Sequence, residues 1–272
     1  MSGPTMDITA LKTRMRDTWM AGDFGVIARY TTRAAEHFVG RLKLAPGSAV
    51  LDVACGTGNT AIPAARAGAR VTGVDIAANL LEQARQRAAQ EGLAIDFCEG
   101  DAEQLAFEDA SFDAVITMYG AMFGPRPERV AAELLRVCRP GGMVAMANWT
   151  PAGFPAKMLA AVARHAPPPA GVPAPVLWGD EATVRQRLEV GAKDIRTARE
   201  IAVMNFPFPP KEVVQLFRQY FGPTQAAFSR LDEQGQAALA SELEQLWEQH
   251  NQSRDGTTLV HGEYLEVVAV RA

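Results

Sequence analysis

The sequence predicts an α/β fold, a mostly parallel sheet with helices on both faces. Two observations carry this. Between residues 49 and 149, short apolar β-rich runs alternate with segments of helical periodicity through short connections. The first run also ends in a glycine-rich turn, Ala54-Cys55-Gly56-Thr57-Gly58-Asn59, of the kind that leads from a strand into a helix. With 272 residues, 48% hydrophobic and 21% charged, the chain can bury a core of ordinary size.

The elements follow in order. Ile8, Leu11, Met15 and Trp19 recur at helical spacing after a possible N-cap at Asp7. A turn at Gly22–Gly25 leads to a second helical pattern reaching Leu42, and Pro46-Gly47 closes this leader. Ala49–Ala54 reads as a buried strand, followed by a helix near Asn59–Ala67. Arg70–Asp75, Ala94–Glu99 and Phe112–Met118 read as further strands, with a helix through Gln90 between the first two. A helix at Pro127–Cys138 passes through the turn Arg139-Pro140-Gly141-Gly142 into a fifth strand, Met143–Trp149. Residues 150–179 are proline-rich around a short helix near Ala156–Arg164. Asp180 caps a helix to Val190, and Asp194–Phe206 is a sixth strand. Residues 210–252 are helical, broken at Gly222-Pro223, and Leu259–Arg271 is β-rich.

Composition excludes several classes. The net charge of −4 is spread without a basic stripe, which argues against a nucleic-acid partner. Cys55, Cys98 and Cys138 lie far apart with no CxxC or Cys/His spacing, so no metal is expected and a reducing compartment fits. The opening residues are too polar for a signal peptide, and no apolar run is long enough to span a membrane. The expectation is a cytoplasmic protein without membrane insertion.

The chemistry points to the turn and three acids. Gly56 and Gly58 let backbone N–H groups approach a ligand closely. Asp52 lies in the first strand just before that turn. Asp75 ends the second strand, where a carboxylate can accept both ribose hydroxyls, and Asp101 follows the third, within reach of an adenine edge. Gly56-x-Gly58-x-x-Ala61 also fits a dinucleotide fingerprint. A pyrophosphate, however, is repelled by a carboxylate such as Asp52, whereas S-adenosylmethionine (SAM) carries two cationic centres and no phosphate. A dinucleotide oxidoreductase and a SAM-binding protein without transfer activity stay open as alternatives.

The segments LDVACGTGN (51–59), VTGVD (71–75), EGDAEQLAF (99–107), FDAVITMYGAMF (112–123) and RVCRPGG (136–142) resemble the class I SAM-dependent methyltransferases. The likeness is to the branch of small-molecule and quinone-biosynthesis C-methyltransferases. It implies a Rossmann-like, seven-stranded, mostly parallel sheet with the last strand antiparallel, plus N-terminal helices and a helical cap. The expectation is one SAM-binding domain over residues 1–272, comprising an N-terminal helical lid (1–45), a cofactor-binding core (46–149), loop, helices and sixth strand (150–205), a cap insertion (206–256) and the last strand (257–272). The resemblance implies that Asp52 (directly or through water), Ala54 and Gly56 line the methionine end of SAM, with Gly58 in the same cofactor-binding turn. Asp75 would hold the ribose and Ile76 pack on the adenine. Asp101 and Ala102 would read the adenine edge, and Met118 lie under the sulfonium. Ala54 stands where glycine is usual, and Ala106 where proline often precedes the phenylalanine.

Trp19, Tyr119 and Phe123 are expected to line the acceptor pocket. The cap's Phe206, Phe208, Phe217, Tyr220, Phe221 and Trp247 hint at an apolar or aromatic small-molecule acceptor. None of His37, His165, His250 and His261 stands out as a base, so no catalytic residue is assigned. The fourth strand ends in Thr117-Met118-Tyr119-Gly120, unlike the tetrad of amino-directed base methyltransferases.

Overall fold

The expected apolar runs become one seven-stranded sheet in a computed structural model that describes residues 7–272. The opening of the polar N-terminal segment, residues 1–6, lies outside the described residues. The strands are β1 (Ala49–Val53), β2 (Arg70–Asp75), β3 (Ile95–Glu99), β4 (Phe112–Met118), β5 (Cys138–Trp149), β6 (Ala192–Phe206) and β7 (Thr258–Arg271). Their spatial order is β3-β2-β1-β4-β5-β7-β6. The pairs β1–β2, β1–β4, β2–β3 and β4–β5 are parallel, and β7 runs against both β5 and β6. Val50, Leu51, Val53, Val115 and Ile116 are buried, as central strands covered on both faces require. Strand order reverses between β1 and β4, which opens a crevice at their carboxyl ends.

The N-terminal helices are α1 (Ile8–Ala21), α2 (Phe24–Ala28) and α3 (Thr32–Leu42). The single leader pattern expected to run to Leu42 divides at a 3-10 turn, Arg29–Thr31. Asp7 caps α1 by accepting the N–H of Ala10. The core helices are α4 (Ala61–Arg66), α5 (Ala78–Gln90), α6 (Pro127–Val137), α7 (Phe154–His165) and α8 (Glu181–Leu188). Asp180 caps α8 through the N–H of Thr183. Between β6 and β7 lie α9 (Pro210–Tyr220), α10 (Gly222–Ser229) and α11 (Glu233–His250).

Several boundaries differ from the sequence expectation for local reasons. β1 stops at Val53 because Ala54 turns into the left-handed region at φ 56°. The following helix opens at Ala61 rather than Asn59, after the positive φ of Gly58. β5 begins at Cys138, since Phe112 pairs with Cys138 and Ala114 with Met143, and the residues between bulge out of register. β6 begins at Ala192, with an irregularity around the left-handed Asp194.

Two apolar cores result. One sandwiches the sheet and includes Phe38, Leu51, Ile116, Leu134 and Trp178. The other joins the cap helices to α7 and the lid, around Phe154, Phe206, Phe217, Leu243 and Trp247, with Ile27 from α2. Lid and cap touch backbone to backbone at Gly222, where a Cβ would lie 2.0 Å from the carbonyl oxygen of Thr18. Only glycine permits that approach.

Candidate active site

The crevice continues into one cavity bounded by the strand ends, the lid and the cap. Its floor is the turn after β1. Gly56 adopts φ 53°, and a Cβ there would meet nothing within 4 Å, so the turn opens outward to the cavity. Behind it, the Arg87 guanidinium donates to the Thr57 carbonyl (2.6 Å) and to Asn59 Oδ1 (2.8 Å). Asn59 in turn donates to the Ala28 carbonyl (2.8 Å), which ties the turn to the lid.

Asp75 is 8% exposed, and its two oxygens accept the N–H groups of Gly56 and Ala77, both at 2.8 Å. Burial raises its pKa against the pull of those donors. Each oxygen keeps a lone pair for a ligand hydroxyl. Asp52 is fully buried. Its Oδ2 accepts the Thr60 hydroxyl (2.6 Å), and its Oδ1 has no partner among the described residues. Burial pushes its pKa up to about 7, with the nearby Asp75 adding and the Thr60 hydroxyl opposing. Asp101 accepts the N–H of Glu103 (2.9 Å) at Oδ1 and the Lys12 ammonium (2.5 Å) at Oδ2.

The wall contains Ala54, Gly56, Asp75, Ile76, Asp101, Ala102 and Met118, together with Trp19, Tyr119 and Phe123. Asp52 and Gly58 lie behind it, with Thr60 reaching the cavity from Asp52. Trp19 packs edge-on against Phe123, ring centroids 5.2 Å apart. Tyr119, at φ 62°, stacks on Trp149 at 3.6 Å, and burial drives its phenol pKa well up. It stays protonated at neutral pH.

None of the four histidines is on the wall. His165 pairs with Glu242 (2.7 Å) and His250 with Lys157 (3.0 Å), while His37 and His261 are exposed. Of the six cap aromatics, Phe217, Phe221 and Trp247 reach the cavity, while Phe206 is enclosed in the cap core. Sequence reasoning missed Lys12, Trp149, Met158 and Met204, all on the wall. Periodicity flags the apolar three only as core, and Lys12 carries no signal because its partner is 89 residues away. Among the described residues there is no cluster of His, Cys, Asp and Glu able to hold a metal, and no helix is long and apolar enough to cross a membrane.

Residues 50–142 match the family model described as a methyltransferase domain. An uncharacterised protein of Mycobacterium tuberculosis is 38% identical over 247 residues, 89% of this chain and 90% of the relative. A demethylmenaquinone methyltransferase of Renibacterium salmoninarum is 41% identical over 105 residues, but this covers only 39% of this chain and 43% of that enzyme. The fold is also that of phosphoethanolamine N-methyltransferase 2 of Haemonchus contortus, solved with S-adenosyl-L-methionine. There the TM-score is 0.58 at 18% identity, over 98% of this chain and 60% of that one. The chain belongs to the class I SAM-dependent methyltransferases, enzymes whose methyl donor is SAM.

Proposed function

We infer that this methyltransferase acts on an uncharged, apolar or aromatic small molecule held between the strand ends and the cap. The observation that carries this is the make-up of the cap wall. Phe154, Pro155, Met158, Leu159, Met204, Phe217, Phe221 and Trp247 line it, with no titratable side chain among them. A charged acceptor there would lose its hydration without compensation. With the histidines elsewhere and Tyr119 held neutral, the chain contributes alignment and water exclusion, and the acceptor brings its own nucleophile.

The residues present suit SAM. Lys12 is the one cation among the described wall residues, and Asp101 and Glu103 already neutralise it. A pyrophosphate would therefore find no free positive charge, whereas the unpartnered Asp52 Oδ1, just behind the wall, suits an ammonium reached through water. When bound, SAM would supply a sulfonium-activated methyl group for in-line transfer to the acceptor's nucleophile, with S-adenosylhomocysteine as the leaving group. Asp75 would hold the ribose, Ile76 the adenine face, and Asp101 with Ala102 the adenine edge. Ala54, Gly56 and Gly58 would shape the methionine end, and Met118 the floor below the sulfonium. Trp19, Tyr119 and Phe123, on the same wall, would align the acceptor.

The test is calorimetric titration with SAM, S-adenosylhomocysteine (SAH) and NADH, followed by an acceptor panel with labelled methyl. Saturable SAM and SAH binding and methylation of neutral aromatic acceptors are expected. NADH binding without SAM binding, or turnover confined to charged acceptors, would sink the reading.

A further inference from the structure

Lys12 lies outside every motif, yet it joins the lid to the cofactor end. Its Nζ is 2.5 Å from Asp101 Oδ2 and 2.6 Å from Glu103 Oε2. The Glu103 side chain is fully enclosed and also accepts the backbone N–H (2.6 Å) and Nε (2.7 Å) of Arg126. One turn further along α1, Arg16 pairs with Glu99 at 2.6 Å. Two ionic rungs thus connect α1 to residues 99–103. They are unequal: Arg16 and Glu99 are 43% and 45% exposed, but Lys12 and Glu103 only 17% and 0%. The outer rung is screened by solvent and the inner one much less. At the other end of α1, Asn79 donates to the carbonyls of Met20 and Gly22, and Gln83 donates to Asp23. Those contacts are uncharged donors to the lid, and they do not touch the adenine-reading segment.

We propose that Lys12 is a positioning residue for the cofactor. It fixes the Asp101 carboxylate at the adenine edge and clamps α1 over that end of the cavity. The strength of this clamp sets how long the nucleoside stays bound. The assignment rests on the reading of Asp101 as the adenine-binding group. Lys12 acts through Asp101 and the lid and touches none of the reacting atoms.

The experiment is stopped-flow release of SAH, followed by intrinsic tryptophan fluorescence, for wild type, Lys12→Met, Lys12→Arg, Arg16→Met and Asp101→Asn. Glu103 keeps Arg126 in the Lys12 variants, so the fold survives, and a melting curve verifies it; Lys12→Gln serves if Lys12→Met does not fold. SAH release from Lys12→Met is expected to be about tenfold faster, with the association rate nearly unchanged. Lys12→Arg restores most of the dwell time, and Arg16→Met changes little. An unchanged release rate in Lys12→Met, with SAH weakened in Asp101→Asn, overturns the role of Lys12 alone. If Asp101→Asn holds SAH as tightly as wild type, the adenine reading falls and the Lys12 assignment falls with it.

Discussion

The two ends of the cavity are built in opposite ways. At the strand ends, ligand-facing groups are backbone amides and short acidic side chains held by other backbone groups, as Asp75 is held by Gly56 and Ala77. At the cap end, large apolar side chains from α7, β6, α9 and α11 make the wall and are held by one another, as Trp247 is by Phe154, Phe206 and Phe217. Polar recognition of an invariant cofactor needs fixed directions, which strand-to-helix turns supply. Apolar recognition needs shape and dryness, which a helical cap can vary without disturbing the sheet.

The sharpest way to break this comparison is to damage one end and measure the other. Trp247→Ala removes a fully enclosed ring and is expected to cost about 3–5 kcal/mol of stability in urea unfolding. Where the variant remains folded, SAH affinity should stay within about threefold of wild type, since the indole touches only the apolar end. A large loss of SAH affinity would show that the two ends are one energetic unit. Conversely, Asp75→Ala removes the carboxylate proposed to accept both ribose hydroxyls and is expected to weaken SAH binding by about 3 kcal/mol in calorimetry. Binding within a few-fold of wild type would refute the ribose assignment.

Proton linkage sharpens the contrast further, because only the polar end titrates. Asp52 has a folded-state pKa of about 7, above the ordinary carboxylate value, so the fold favours its protonated form. Its contribution to stability is present at acid pH and is lost as pH rises through about 7. A ligand ammonium reverses the preference, so SAH should bind more tightly as pH rises, at most about tenfold per unit, and level off above pH 7. Asp52→Asn should flatten both profiles; a flat wild-type SAH profile between pH 6 and 8 would separate Asp52 from the cofactor. The smallest effect belongs to the left-handed Ala54. Ala54→Gly should stabilise the protein by about 0.5–1 kcal/mol in chemical denaturation, as strain relief outweighs the extra freedom of the unfolded chain. Destabilisation would mean that the Ala54 methyl packs more usefully than its backbone strains.

The same contrast governs what was legible in the sequence. Strand identities and the positions of Asp75 and Asp101 could be read because each follows from the pattern of strands and their ends, whereas the antiparallel last strand and the parts of Ile76, Ala102 and Met118 came only through the family resemblance. Asp52 was legible as a strand residue beside the turn, but its burial off the cavity wall behind Thr60 was not, because it depends on how the turn folds over it. In the cap, the alphabet of the wall is the alphabet of the core. Phe206 and Phe217 are both buried aromatics, yet only Phe217 faces the cavity, and no periodicity distinguishes them. Lys12 and Asp101 meet only through the fold, because charge pairs between distant segments leave no local pattern.

The place of β7 has a consequence for how the molecule is made. β7, later in the chain than both of its neighbours, enters the interior of the sheet between β5 and β6, and among the described residues β6 pairs with no other strand. Until residues 258–271 leave the ribosome, β5 presents an unpaired edge and β6 has nowhere to dock. Strands β1 to β5 can therefore be in place while β6 is still undocked. Closing the slot joins segments more than a hundred residues apart, the kind of long-range pairing whose loop-closure cost makes it slow and aggregation-exposed.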